Sequence, residues 1–206
     1  MIISNLHRFI FAAIPKTGTH SVRRALREHM GPQDLEQVGL FVQRKLPIPE
    51  LARLGHGHLT LAQVRPHLTL DEFESFFKFA FVRNPFDRFV SYCSFVTRDT
   101  GEFEADPRAL MRNIIANPPS DHLLFHPQHS FVTGASGELL ADHVGRVEEM
   151  QKSYDEIAAR IGIPTAQLDK VNATSRRDYR QYFDPPLIEG VARYYARDLL
   201  LFGYEF

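Results

Sequence analysis

The feature that most narrows what this 206-residue chain can fold into is the stretch Phe9–Met30, FIFAAIPKTGTHSVRRALREHM. Its apolar run, Phe9-Ile10-Phe11-Ala12-Ala13-Ile14, is short enough for a buried strand. Pro15 ends that run because it lacks the N–H a ladder needs. Lys16-Thr17-Gly18-Thr19-His20-Ser21 follows, and apolar residues return at Val22, Ala25, Leu26 and Met30, the spacing of a helix. A strand, a tight turn and a helix together make an anion site. Open N–H groups and the positive end of the helix dipole face the turn, and Lys16 adds a full charge there. Thr17, Thr19 and Ser21 bring hydroxyls. The expected ligand carries phosphate or sulfate.

The turn departs from the usual nucleoside-triphosphate loop, G-x-x-x-x-G-K-[ST], where the lysine follows the second glycine and a hydroxyl for magnesium follows the lysine. Here Lys16 precedes Gly18, and no glycine lies four or five residues upstream. The competing reading of the hexapeptide by itself is a helix cap followed by a surface lysine.

Composition sets further bounds. With 44% hydrophobic residues the chain can build a sizeable core, and its length suits one domain over residues 1–206. A formal net charge of −1 argues against bulk capture of nucleic acid or an anionic membrane, so any positive charge must be local. Cys93, the one cysteine, excludes an intrachain disulfide and a cysteine-rich zinc site, and it accords with a reducing compartment. No run of about 18 apolar residues suggests a membrane span. Met1-Ile2-Ile3-Ser4-Asn5 leads almost directly into the first strand, without room for a cleavable signal, so the expected location is the cytoplasm.

Downstream, Gly31-Pro32 stops the first helix, and Leu40-Phe41-Val42 reads as either a short strand or a helical turn. Pro49 opens a short helix through Leu54. In Gly55-His56-Gly57-His58, an extended backbone would put both histidines on one side. Thr60 caps a helix from Leu61 towards His67. Residues 76–82, FFKFAFV, are the strongest strand signal and read as central and parallel. Arg83-Asn84-Pro85 follows at once, with Asn84 as N-cap and Pro85 in the first helical position. Phe86, Phe89, Val90 and Cys93 share a helical face, which leaves Ser91 off that face near the helix start. Further helices are expected over 107–116, 148–161 and from Pro186 to Leu201, with a strand within 139–147 and a polar basic loop over 172–179. Repeated strand–helix units predict an α/β fold with a central, mainly parallel sheet flanked by helices and ligands at the strands' carboxyl ends. Both strand–turn–helix corners would open on that edge, bringing Lys16 near Arg83.

Lys16-Thr17-Gly18-Thr19-His20-Ser21 after Pro15 resembles the 5′-phosphosulfate loop of sulfotransferases that use 3′-phosphoadenosine 5′-phosphosulfate (PAPS). Arg83-Asn84-Pro85-x-Asp87-Arg88-x-Val90-Ser91 resembles their 3′-phosphate motif, in which an arginine and a serine eight residues on grip the 3′-phosphate. The absence of tryptophan and the His56-Gly57-His58 element are similar to the carbohydrate-type enzymes, the heparan sulfate 2-O-sulfotransferase group in particular. Asn172-Ala173-Thr174, Tyr194, Asp198 and Phe202-Gly203-Tyr204 match that group's ending; Gln128 and Arg146-Val147-Glu148 fit it loosely.

The resemblance implies a P-loop-like three-layer sandwich that moves a sulfuryl group from PAPS to an acceptor hydroxyl and releases adenosine 3′,5′-bisphosphate (PAP). The acceptor would be a small molecule or a carbohydrate, and no metal is expected. Lys16 would neutralise the leaving phosphate. Thr17, Gly18, Thr19, His20 and Ser21 would hold the phosphosulfate, and Arg83 and Ser91 the 3′-phosphate. His58 would act as base, with His56 orienting it or the acceptor. An imidazole suits that task because it is largely neutral at neutral pH. Arg176 and Arg177 either reach the 3′-phosphate, close over adenine, or form a solvated turn. Arg88 either assists the 3′-phosphate or pairs with Asp87. Tyr179 and Tyr182 either stack on adenine or join the core. His20, His67 and His143 read as buried, hydrogen-bonded histidines, and Cys93 as packing. Zinc on His56 and His58 would want further ligands, for which His126 and His129 are the candidates. The alternative functions are a nucleotide kinase or phosphotransferase, and a nucleotide-binding protein without catalysis.

Overall fold

Residues 1–39, 44–169 and 178–206 are described in the computed structural model. In chain order the first elements are β1 (Ile2–Ser4), β2 (Phe9–Ala12), α1 (Thr19–Arg27) and β3 (Leu35–Glu36). Three short helices follow, α2 (Pro49–Ala52), α3 (Leu61–Val64) and α4 (Leu70–Ser75), and then β4 (Phe77–Val82) and α5 (Pro85–Val96). The remainder comprises α6 (Glu102–Ala105), α7 (Pro107–Ala116), β5 (His143–Arg146), α8 (Met150–Ile161), α9 (Pro185–Tyr194) and α10 (Ala196–Phe202). The chain divides into two compact units, Met1–Val82 with Ser130–Val171, and Arg83–His129 with Asn172–Phe206.

The first unit holds a five-stranded sheet in the order β3-β1-β2-β4-β5. β2 pairs β4 in parallel, and β4 pairs β5 in parallel. β1 runs antiparallel to both its neighbours, so it alone opposes the direction of the other strands. The mixed α/β architecture with a mostly parallel sheet thus matches expectation, apart from β1. Three residues are too few to show alternation. The hairpin to β2 is fixed instead by Asp34, whose carboxylate accepts from the Ser4 hydroxyl and from the N–H groups of Asn5 and Leu6.

The pleat explains the core. Phe9, Phe11, Phe79 and Phe81 lie on one face and pack with Val22, Ala25 and Leu26 of α1 and Tyr154, Ile157 and Ile161 of α8. Phe11 stacks on Phe79 at 5.2 Å between centroids. Ile10, Ala12 and Ala80, on the opposite face, are fully buried as well, as parallel strands covered on both sides require. Because β2 and β4 are parallel neighbours, both leave the sheet at the same edge, β2 into residues 13–18 and β4 into Arg83.

The second unit is helical. Phe86, Phe89, Val90, Cys93, Met111, Phe125, Phe183, Leu187 and Val191 form its core. Tyr179 and Tyr182, both partly buried, pack on that core, Tyr179 edge-on to Phe183 and Phe206 and Tyr182 against Phe103. The final helix is interrupted at Tyr195, whose buried hydroxyl donates to the Phe125 carbonyl at 3.0 Å. Leu40-Phe41-Val42, Arg176 and Arg177 lie outside the described residues.

Candidate active site

Pro15 closes β2, and the residues after it adopt a backbone that ordinary side chains avoid. Lys16 has φ 66° and Gly18 φ 70°. A lysine in the left-handed region costs on the order of 1 kcal/mol and persists only where the surroundings impose it. No side chain caps α1; of its leading N–H groups, that of Ser21 donates to the carbonyl of the cap residue Gly18 at 3.2 Å. The His20 ring has its pKa lowered by partial burial and then by Arg23, Arg27 and Lys16.

The hydroxyls are used differently from expectation. Thr17 is fully buried, and its Oγ1 donates to the Ile14 carbonyl at 2.9 Å. Ser21 Oγ donates to the Asp169 carbonyl at 2.8 Å. Both protons brace the loop.

His58 is tied to the root of this loop. Its Nδ1 lies 2.7 Å from the carbonyl oxygen of Ala13. A carbonyl only accepts, so Nδ1 carries the proton and Nε2 is left as the acceptor, the form a general base needs. Burial pushes the His58 pKa down to about 3. The Ala13 bond opposes this, while the Met1 ammonium, Arg23 and His56 add to it.

The segment carrying both histidines is a bend, not the extended run on which their shared facing was argued. Gly57 sits in its centre against a wall. A Cβ there would come within 2.3 Å of the Gln37 carbonyl, 2.7 Å of the Arg23 guanidinium and 2.8 Å of the Val38 Cα. Arg23, from α1, donates through Nη2 to the Gly57 carbonyl at 2.8 Å and through Nη1 to that of Gln37 at 3.2 Å. The Gln37 amide donates to the carbonyl of His56 at 2.9 Å. Glu36, buried on β3, accepts from Arg27 at 2.8 Å and from Arg44 at 3.2 Å. Arg23 and Gln37 escaped the sequence reading. The available signal was an arginine beside Val22 at the edge of the apolar helix face.

In the second unit, Asn84 caps α5 by accepting from the Phe86 N–H at 3.0 Å, with Pro85 in the first turn, as expected. Arg83 is partly exposed, and its Nε donates to Asp87 Oδ2 at 2.6 Å. Ser91 is buried on α5. Arg88 is buried too and donates through Nη2 to the carbonyls of Leu124 and His126 at 3.1 and 2.9 Å. It thereby braces a turn. His129 donates through Nδ1 to Asp198 at 2.7 Å, and His126 Nε2 meets the Ser120 carbonyl at 2.8 Å. Among the described residues, no three His, Cys, Asp or Glu side chains form a group able to hold a metal. Cys93 is fully buried, and burial pushes its thiol pKa far up, in keeping with packing. His20 and His67, expected to be buried, are exposed.

The model of the Sulfotransferase family matches residues 1–205. A solved structure of a sulfotransferase from Alicyclobacillus acidocaldarius aligns with a TM-score of 0.47 and 17% identity, over 95% of this chain and 96% of that one. No curated protein matches the sequence significantly. Among the described residues, no helix is long and apolar enough to cross a membrane.

Proposed function

The chain belongs to the sulfotransferase family, and from that premise we propose that it moves the sulfuryl group of PAPS to a hydroxyl of a carbohydrate or glycoconjugate, with His58 as the base. PAPS is the donor the family implies, and no metal takes part in the proposed step. The acceptor oxygen attacks sulfur in line, the bond from sulfur to the 5′-phosphate oxygen breaks, and PAP departs. The acceptor's proton passes to His58 Nε2. Lys16 and the N–H groups of Thr17, Gly18, Thr19 and His20 meet the charge that develops on the leaving phosphate, with Thr17 and Ser21 bracing the loop that aims them. Arg83 and Ser91 hold the 3′-phosphate. Arg176 and Arg177 join them at that phosphate or over the adenine, on the family resemblance alone. His56 orients the acceptor or its neighbouring imidazole. The single domain spans residues 1–206, and its single cysteine favours the cytoplasm as its place of work.

The observation that carries this reading is the bond between His58 and Ala13, three residues before Lys16. It supplies an unprotonated Nε2 at the base of the loop assigned to the sulfuryl donor. Burial holds the ring neutral in the free protein, and the neighbouring cations that add to that effect are opposed by an incoming anionic donor, which makes the ring a better proton acceptor once PAPS is bound.

Replacing His58 by Ala tests the assignment. Turnover should fall about 10²–10⁴-fold, the usual contribution of a general base. PAP binding, measured calorimetrically without magnesium, should stay within a few-fold of wild type. Undiminished turnover in that variant removes His58 from the chemistry. Failure of wild-type protein to bind PAP without magnesium removes the donor assignment altogether.

A further inference from the structure

We infer that Gln128 and Asp198 are positioning residues that set Arg83 for the 3′-phosphate, an inference that rests on the assignment of Arg83 above. Gln128 is fully buried, and its side-chain amide closes on the main chain of Arg83 from both sides. Oε1 accepts from the Arg83 N–H at 2.9 Å, and Nε2 donates to the Arg83 carbonyl at 2.9 Å. Residue 83 stands between the end of β4 and the cap of α5, where no ladder or helix partner is due to it. One side chain therefore satisfies both of its backbone groups and fixes the peptide planes that launch the guanidinium.

Gln128 is itself held. Its N–H donates to Asp198 Oδ2 at 2.7 Å, while the N–H and Nδ1 of His129 donate to Oδ1 at 2.8 and 2.7 Å. Asp198 is fully buried on α10, so its charge is stabilised by these fixed N–H groups and not by water. Arg88 grips the carbonyls of Leu124 and His126 just upstream. The Gln128 turn is thus pinned from α5 and from α10. At the other end of the relay, Asp87 takes the Nε of Arg83 and leaves the Nη pair as its fork for an oxyanion. A phosphate read by a fork depends steeply on aim, and displacement by about 1 Å can cost as much as 100-fold.

A merely structural role for Gln128 and Asp198 predicts equal losses for any nucleotide. A positioning role predicts a loss confined to ligands carrying the 3′-phosphate. The test measures dissociation constants of PAP and of adenosine 5′-monophosphate, which lacks that group, for wild type, Arg83→Ala, Gln128→Met and Asp198→Asn. The expected result is an approximately 10-fold loss of PAP affinity in Gln128→Met and in Asp198→Asn, with 5′-monophosphate binding within twofold of wild type. Should Gln128→Met not fold, Asp198→Asn carries the same comparison, because it keeps the shape of the side chain. A PAP-to-monophosphate ratio unchanged in the folded variants overturns the inference. If Arg83→Ala also leaves the ratio unchanged, the 3′-phosphate assignment falls as well. If Arg83→Ala collapses the ratio while the other two preserve it, the inference falls alone.

Discussion

The two strand-to-helix corners are built on opposite plans. Between β2 and α1 the chain takes residues 13–18, passes through the left-handed region at Lys16 and Gly18, and enters a helix with no side-chain cap. Between β4 and α5 it takes only Arg83 and Asn84; the cap is made by Asn84, and both backbone groups of Arg83 are occupied by Gln128. The first corner spends side chains such as Thr17 and Ser21 on bracing its main chain. The second seals its main chain and offers a side chain. An anion can be met either by a row of N–H groups on a strained loop or by a guanidinium on a relaxed one, and the function proposed above assigns one solution to each corner.

The largest effect that tests this contrast should come from Lys16→Gly. Glycine accepts φ 66° without penalty, so thermal unfolding should show a gain of up to about 1 kcal/mol in stability. Turnover should fall about 10³-fold as the charge opposite the leaving group is lost. PAP binding should weaken far less, because the N–H row remains. Retained turnover would break the contrast at its strongest point.

An intermediate effect is expected from His58, which belongs to the first corner through Ala13. Its pKa in the folded protein, about 3, lies below the ordinary imidazole value of 6.5. The unfolded chain therefore binds the proton more readily, and stability that is complete above pH 6.5 drains away as the pH falls towards 3. Between pH 6.5 and 5 the loss from this one ring should be about 2 kcal/mol. Urea unfolding of wild type and His58→Gln over that range should show the steeper decline in wild type. Parallel curves would mean that the ring is not held neutral.

The smallest effect should follow Asn84→Ala, about 1 kcal/mol from the lost cap. PAP affinity should stay within twofold, since the second corner is read as working through a side chain. A collapse of binding there would show that its main chain matters after all.

What the sequence disclosed was local. Phe9–Ile14, Pro15 and the spacing of Val22, Ala25 and Leu26 announced the first corner, and FFKFAFV followed by Asn84-Pro85 announced the second. Each signal lies within a few residues and is written in periodicity or capping. β1 was missed because its strand character comes from partners, Asp34 included, and not from its three residues. The break at Tyr195 was missed, and the partner of its hydroxyl, the Phe125 carbonyl, is far away in sequence. The same holds at the candidate site. Lys16 and His58 stand in recognisable motifs, whereas Arg23 reaches the Gly57 carbonyl across 34 residues, and Asp198 reaches Gln128 across 70. Buried polar side chains that serve distant carbonyls and amides leave no periodic trace.

Gly57 has a consequence for anyone hoping to graft the paired imidazoles onto another scaffold. The crowding by Gln37, Arg23 and Val38 leaves no room at that position for even a methyl group. Copying three letters of sequence would therefore transfer nothing. The surrounding masonry, an arginine reaching across from a neighbouring helix and the short edge that fences the bend, would have to travel with them.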